Sequence, residues 1–221
     1  MKLVLNALVK YIAGLILVGV LVFLPAGSFA YKNGWLFVAL LFIPMFFLGV
    51  VMLIKAPALL RRRLDSKEKE STQKGVVAVA GLIFLAGFVV AGLDYRFGWS
   101  HIPSAVVWVA AIMLLISYGM YAEVMRENAY LSRTVKVEEG QKLIDSGLYG
   151  VVRHPMYTAT IVLFLSIPLV LGSLWSFALF LLYPAVIVVR VLNEEKVLEK
   201  ELLGYREYKK KVKWRIIPFI W

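Results

Sequence analysis

The sequence contains no cysteine. Disulfides, thiolate zinc sites, iron–sulfur clusters and thiol nucleophiles are therefore excluded. Histidine is nearly absent: His101 and His154 are the only two, too few for a histidine-rich metal site. Charge is scarce at 18% of residues, against about 25% in soluble domains. Acidic residues are scarcer than basic ones, 14 against 25, which leaves a formal net charge of +11.

What fills the 221 residues is apolar: 61% are hydrophobic, and the mean hydropathy is +0.80. A single core of this size cannot hide that much apolar surface, so a soluble globular enzyme is excluded. Disorder is excluded for the same reason, because it requires low hydrophobicity. The chain reads as an all-α integral membrane protein.

A helix crosses a bilayer core with about 20 apolar residues. Six segments approach that length: Leu3–Leu24, Trp35–Ile54, Gly75–Leu93, Ile102–Tyr121, Pro155–Leu171 and Leu174–Leu192. The first follows Lys2 as a signal peptide would, but its length and the lack of a cleavage site argue for a retained span. Lys10 within it can snorkel to the near interface.

Lys32 and Arg96 occupy the loops after the first and third spans. The other 23 of the 25 basic residues lie at the N-terminus, in 55–74, in 122–154, or from Arg190 onward. Alternating spans put those four regions on one side, which the positive-inside rule makes cytoplasmic, with both termini inside. Among the acids, only Asp94 falls on the far side. The loop from Lys55 to Lys74 carries Arg61-Arg62-Arg63 and the mixed run Asp65-Ser66-Lys67-Glu68-Lys69-Glu70. It reads as a topology-fixing loop at anionic headgroups, with no nucleic-acid partner expected.

Polar chemistry concentrates after Tyr121. In Gln141–Tyr157, polar groups crowd between Gly147, Gly150 and Pro155. Pro155 suits the first position of a helix, where its missing N–H costs nothing. Gly172-Ser173 reads as a tight turn, so the last two spans form an antiparallel hairpin. Counting outward from 173, His154 and Leu192 are equidistant and return to one depth. His154 therefore faces Arg190, Asn193, Glu194 and Glu195. Arg190 and Glu194 share a helix face at i,i+4. An interface salt bridge for that pair, and a capping role for His154, are the plain alternatives. Ionisable groups converging at membrane depth mark substrate sites.

Beyond Glu195 the pattern predicts an amphipathic helix with Val197, Leu198, Leu202 and Leu203 on one side. Tyr205, Tyr208 and Lys209-Lys210-Lys211 follow. The end, 214–221, is too short to span and reads as an interfacial anchor or a flap over the site. Tyr205, Tyr208, Trp214 and Trp221 read as membrane-belt residues.

These segments resemble the integral-membrane methyltransferases that include isoprenylcysteine carboxyl methyltransferase and the phospholipid N-methyltransferases. The resemblance covers about residues 134–219. It rests on Gly147-Leu148-Tyr149, Arg153-His154-Pro155-Met156-Tyr157, Arg190, Glu194-Glu195, Leu198, Tyr205, Glu207-Tyr208-Lys209-Lys210 and Ile217-Pro218. It implies an S-adenosylmethionine site built without a Rossmann sheet. Gln141, Lys142, Leu143 and Ile144 would line the cofactor, with Tyr149, His154, Pro155, Met156 and Tyr157. Glu194 would hold the cofactor's polar end, with Glu195 beside it, and Arg190 would face the substrate. The family's glycine after the motif tyrosine is Ala159 here.

The resemblance thus divides the chain into a scaffold and lipid-pocket region, 1–133, and a catalytic region, 134–221. It implies methyl transfer to a lipidic or prenylated acceptor at a cytoplasm-facing site, with Arg190 and Glu194 as catalytic residues. Sterol and steroid reductases that use NADPH resemble this family at a similar motif, usually with Asn where this chain has Met156. An NADPH-dependent reductase is therefore the second reading, and a transporter or scaffold the third.

Overall fold

The computed structural model describes residues 2–65, 71–132, 137 and 140–221; the charged run 66–70 read above lies outside them. All regular elements among the described residues are helical. In order they are α1 (Lys2–Ala26), α2 (Lys32–Lys55), α3 (Pro57–Leu64), α4 (Ser71–Phe97), α5 (Ser104–Glu127), a 3-10 turn (Gly147–Gly150), α6 (Pro155–Leu171), α7 (Leu174–Phe180), α8 (Tyr183–Glu201) and α9 (Tyr205–Lys211).

Five stretches are long and apolar enough to cross a membrane: α1, α2, α4 from Gln73, α5, and Leu174–Glu201. The remaining expected span, α6, is a shorter apolar helix of 17 residues. Large apolar side chains such as Ile16, Leu24, Phe47, Leu82, Trp108 and Val109 face outward. That is the surface of a helical bundle solvated by lipid, where helices satisfy their backbone internally.

The last expected span is interrupted. Leu181 and Leu182 separate α7 from α8, and Pro184 in the first turn of α8 cannot donate to the preceding carbonyls. Both intervening residues keep right-handed helical dihedrals, so the direction of the chain is preserved. The turn before α7 is as expected: Gly172 adopts φ 81°, and the Ser173 hydroxyl accepts from the Ser176 N–H at 3.0 Å.

Val22, Phe37, Phe88, Leu114, Ile167 and Phe180 form the centre of the main apolar core. The most extensive helix pairing is α5 with α6, where Ala159 is fully buried. Helices α1 and α4 meet at Gly92, where a Cβ would fall 2.6 Å from the Val22 carbonyl oxygen.

Polar contacts close the bundle at both ends. At one end, buried Asp94 accepts from the backbone and hydroxyl of Ser100, both at 2.7 Å, and from the Ser173 hydroxyl. Tyr31 donates to the Leu171 carbonyl there. At the other end, Gln73 Nε2 donates to Asn193 Oδ1 at 2.7 Å and Arg62 to the Ala129 carbonyl at 2.6 Å. Lys10 reaches the carbonyl of Leu64, so this lysine caps α3. Lys32 and Arg96 belong with the first end; Lys10, Arg62, Arg63, Arg153 and Arg190 belong with the second.

Helix α8 stops at Glu201 because Gly204 takes φ 82° and turns the chain into α9. This corrects the expected apolar face: Leu202 is buried, whereas Leu203 is 94% exposed.

Candidate functional site

The site is assembled around the extended residues before α6. Pro155 occupies the first helical turn as expected, and His154 precedes it without a side-chain capping bond. The C-terminal segment folds back along this arm. Arg153 N–H donates to the Trp214 carbonyl at 2.9 Å and His154 N–H to the Arg215 carbonyl at 2.8 Å. Thr158 Oγ1 adds a bond to the Ile216 carbonyl at 2.7 Å. The expected flap is thus a strap laced to the base of α6.

A buried carboxylate holds the strap. Glu195 accepts from Arg153 Nε at 2.7 Å and from Arg215 Nε at 3.0 Å. Arg153 Nη1 also donates to the carbonyls of Val212 and Lys213 at 2.7 and 2.8 Å. His154 approaches both glutamates, with Nε2 3.4 Å from Glu195 and Nδ1 3.9 Å from Glu194. The equidistance of His154 and Leu192 from the hairpin turn therefore has its counterpart in space.

Arg190 and Glu194 do lie on one face of α8, but they are joined through a third group. The Tyr157 hydroxyl donates to Glu194 Oε2 at 2.5 Å and accepts from Arg190 Nε at 2.7 Å. The tyrosine is fixed between a guanidinium and a carboxylate, with its ring in the wall of α6.

Two cavities meet at this wall. The first has a volume of about 90 Å³. Gln141, Lys142, Leu143 and Ile144 line one side of it, and Tyr149, His154, Pro155, Met156 and Tyr157 another, with Glu194 between. Ten of the residues expected at a cofactor thus surround one space. Glu195 does not line it, since its carboxylate is turned to Arg153 and Arg215. Arg190 lines the second cavity instead.

The loop beside the first cavity is held from below. Gly147 has φ 52°, and a Cβ there would collide with the Glu127 carboxylate, which accepts from the Leu148 N–H at 3.2 Å. Asn128 donates to the Tyr149 hydroxyl at 2.9 Å, and the Tyr208 hydroxyl donates to the Tyr149 carbonyl at 2.7 Å. Burial pushes the Tyr149 phenol up to about 12, against the lowering influence of Asn128. Burial likewise raises Tyr205 and Tyr208. Outside, Lys211 donates to Asp145 at 2.8 Å and lowers the pKa of its carboxyl.

The second cavity has a volume of about 350 Å³ between α4, α6 and α8. Its inner part is aromatic: Phe164 packs edge-on against Phe84 and Tyr183, with ring centroids 4.5 and 4.3 Å away. Met156 and Tyr157 separate it from the first cavity. Arg63 and Arg190 lie at its polar part, and Arg63 Nη1 donates to Met156 Sδ at 3.4 Å.

Several lining residues were not expected. Tyr205 and Tyr208, read as belt residues, are buried and line the first cavity; their i,i+3 spacing after a glycine was the available signal. Asn128 and Leu131 also line it, although they precede the expected catalytic region. Arg63 was one of three consecutive arginines, and nothing in the sequence singled it out.

Known proteins are similar to part of this chain. The Delta(14)-sterol reductase TM7SF2 of Mus musculus is 34% identical over 91 residues, covering 40% of this chain and 22% of that protein. The uncharacterized protein YpbQ of Bacillus subtilis (strain 168) is 30% identical over 93 residues, 42% of this chain and 55% of that protein. The chain thus spans between about a fifth and about half the length of these curated relatives. The stretch that supplies every lining residue of the first cavity except Tyr205 and Tyr208, residues 105–203, matches the model of the phospholipid methyltransferase family.

Proposed function

We propose that this chain is a membrane methyltransferase that moves a methyl group from S-adenosylmethionine to a lipidic or prenylated acceptor. The observation that carries the reading is the shared wall: a cavity of mixed polarity and a largely apolar one meet at Met156 and Tyr157. A polar cofactor and a membrane-soluble acceptor need separate entrances and one meeting point.

The donor set of the first cavity fits the cofactor. Glu194 keeps 24% of its side chain accessible and suits an ammonium group. Tyr149, Tyr157, Tyr205 and Tyr208 surround the same space, and aromatic faces favour a cationic sulfonium. When bound, the cofactor supplies an electrophilic methyl group. The chain's task is then positioning, which accounts for large rate factors without a metal or thiol. Arg190 holds the acceptor's polar end, Tyr157 keeps Arg190 and Glu194 in register, and Met156 and Tyr157 form the boundary across which the groups meet. Residues 134–221 supply most of this machinery, and α4 from 1–133 supplies the lipid-facing wall. The charge distribution supports a cytoplasmic site with both termini inside.

Glu195 acts one layer out, as the anchor of the strap. A second reading, reduction with NADPH, is favoured by the similarity to a sterol reductase. Membranes containing the full chain, supplied with methyl-labelled S-adenosylmethionine, test the leading reading when the extracted lipids and proteins are examined by mass spectrometry. Chain-dependent label in an extracted molecule supports it. No transfer, together with NADPH-dependent reduction of a sterol, would reverse the ranking.

A further inference from the structure

The first cavity is lined by a phenol whose hydrogen-bonding direction is set from outside the region 134–221. Asn128 caps the C-terminal end of α5, and its N–H donates to the Val124 carbonyl at 3.0 Å. Its side chain then makes two bonds of opposite polarity. Oδ1 accepts from the Tyr130 N–H at 3.0 Å, and Nδ2 donates to the Tyr149 hydroxyl at 2.9 Å. A backbone N–H can only donate, so Tyr130 fixes which end of the amide faces Tyr149.

That orientation decides the role of the phenol. Conjugation keeps a phenolic O–H in the plane of its ring, with two in-plane directions at the oxygen. A bond received along one of them leaves the proton along the other. Among the described residues none accepts the Tyr149 proton. Tyr149 is only 9% exposed, and it lines the first cavity together with Asn128. A buried donor without a partner costs free energy until one arrives. We infer that Asn128 is a positioning residue: it turns the Tyr149 hydroxyl proton into the first cavity, to be donated to an acceptor atom of the cofactor. This rests on the methyltransferase reading for the identity of that cofactor.

The backbone around Tyr149 is held by other groups. Its N–H donates to the Ser146 carbonyl at 3.0 Å, and its carbonyl accepts from the Tyr208 hydroxyl at 2.7 Å. The preceding Leu148 N–H donates to Glu127 at 3.2 Å. Asn128 touches the side chain alone, so its contribution is the direction of a proton and not the path of the loop. Although it lies inside the family-matched stretch 105–203, it precedes the segments that carried the resemblance.

A donor at this point suits the ring nitrogens or oxygens of a nucleoside and disfavours an ammonium group. Glu194 presents the opposite polarity to the same space. The pair therefore favours one orientation of a ligand that carries an ammonium at one end and acceptors at the other.

The test is calorimetric titration of the full chain in detergent with S-adenosylmethionine, arranged as a double-mutant cycle. Asn128→Asp keeps the shape and the acceptor for Tyr130, but its carboxylate takes the Tyr149 proton away from the cavity. Affinity should fall about tenfold, even though the added negative charge by itself favours a cationic cofactor. Tyr149→Phe should lose a similar factor, and the double variant should bind no more weakly than Tyr149→Phe. An asparagine that serves only the fold predicts that the isosteric Asn128→Asp binds as the native chain does. Asn128→Leu gives a readout without ligand: removing a bond that lowers the Tyr149 pKa should make this phenol ionise later in an ultraviolet titration. Native affinity in Asn128→Asp, losses that multiply in the double variant, or an unmoved Tyr149 titration in Asn128→Leu would each overturn the inference alone. A native chain that binds no S-adenosylmethionine would overturn it together with the methyltransferase reading.

Discussion

Tyr157 donates its hydroxyl to Glu194 at 2.5 Å and accepts from Arg190 at 2.7 Å through the same oxygen. One phenol thus couples a residue of the first cavity to a residue of the second. Tyr157→Phe removes both bonds and keeps the ring. Hydrogen bonds to charged groups are worth about 1.5–3 kcal/mol, so methyl transfer should fall about 10–100-fold. Because the ring still lines the first cavity, cofactor affinity should change less than the transfer rate. Single-turnover kinetics beside calorimetry separate the two.

Glu195 should behave as an anchor. Its carboxylate is 4% exposed and bonded to Arg153 and Arg215. Breaking a buried pair by removing one partner costs about 3–5 kcal/mol. Glu195→Ala should therefore lower the unfolding temperature and speed amide exchange at Trp214 and Arg215, with or without cofactor. A normal melting profile combined with lost cofactor binding would instead return Glu195 to the ligand contacts expected from the resemblance.

Gly147→Ala should damage the loop locally. The φ of 52° disfavours any side chain, by about 1–2 kcal/mol, and the Glu127 carboxylate occupies the Cβ position. Reduced S-adenosylmethionine affinity with intact helix content by circular dichroism is the expected pair of results. Gly150→Ala serves as a control, since its Cβ would meet only the Asp145 carbonyl at 3.3 Å.

Tyr149 gives a pH prediction with a definite sign. Its phenol is raised to about 12 in the folded chain, against about 10 when unfolded. The folded state thus favours the protonated form. This contribution is fully present below pH about 10 and is lost as pH rises through about 12, up to about 3 kcal/mol. An ultraviolet titration should lose one of its late-ionising tyrosines, the one titrating near pH 12, in Tyr149→Phe.

Gly81→Leu probes the second cavity alone. Leucine favours the helix over glycine by up to about 1 kcal/mol, so stability should hold or rise. The side chain projects into tail space, and displacing even two methylene contacts at about 0.8 kcal/mol each should raise the acceptor KM about tenfold. Cofactor affinity should be unchanged.

The bundle was legible because hydrophobic length and basic-residue placement are strong, local signals. The shared depth of His154 and Glu194 followed from helical rise alone. The break at Leu181–Leu182 was less visible, because Pro184 is compatible with an uninterrupted apolar run. The roles of Tyr157 and Glu195 depend on which side of α8 each neighbour approaches. Adjacent glutamates point about 100° apart on a helix, so Glu194 enters a cavity while Glu195 enters the ion-pair network. Sequence adjacency made them look alike. Arg63 was hidden for another reason: only the docking of α3 on Ala129 distinguishes it from Arg61 and Arg62.

The most direct test is calorimetric titration of the detergent-solubilised full chain with S-adenosylmethionine, repeated with Glu194→Ala and with NADPH as the comparison ligand. A methyltransferase site predicts saturable binding near the micromolar range in the native chain, weakened at least about tenfold by the substitution, and none with NADPH. Saturable binding of NADPH with no response to S-adenosylmethionine would contradict it.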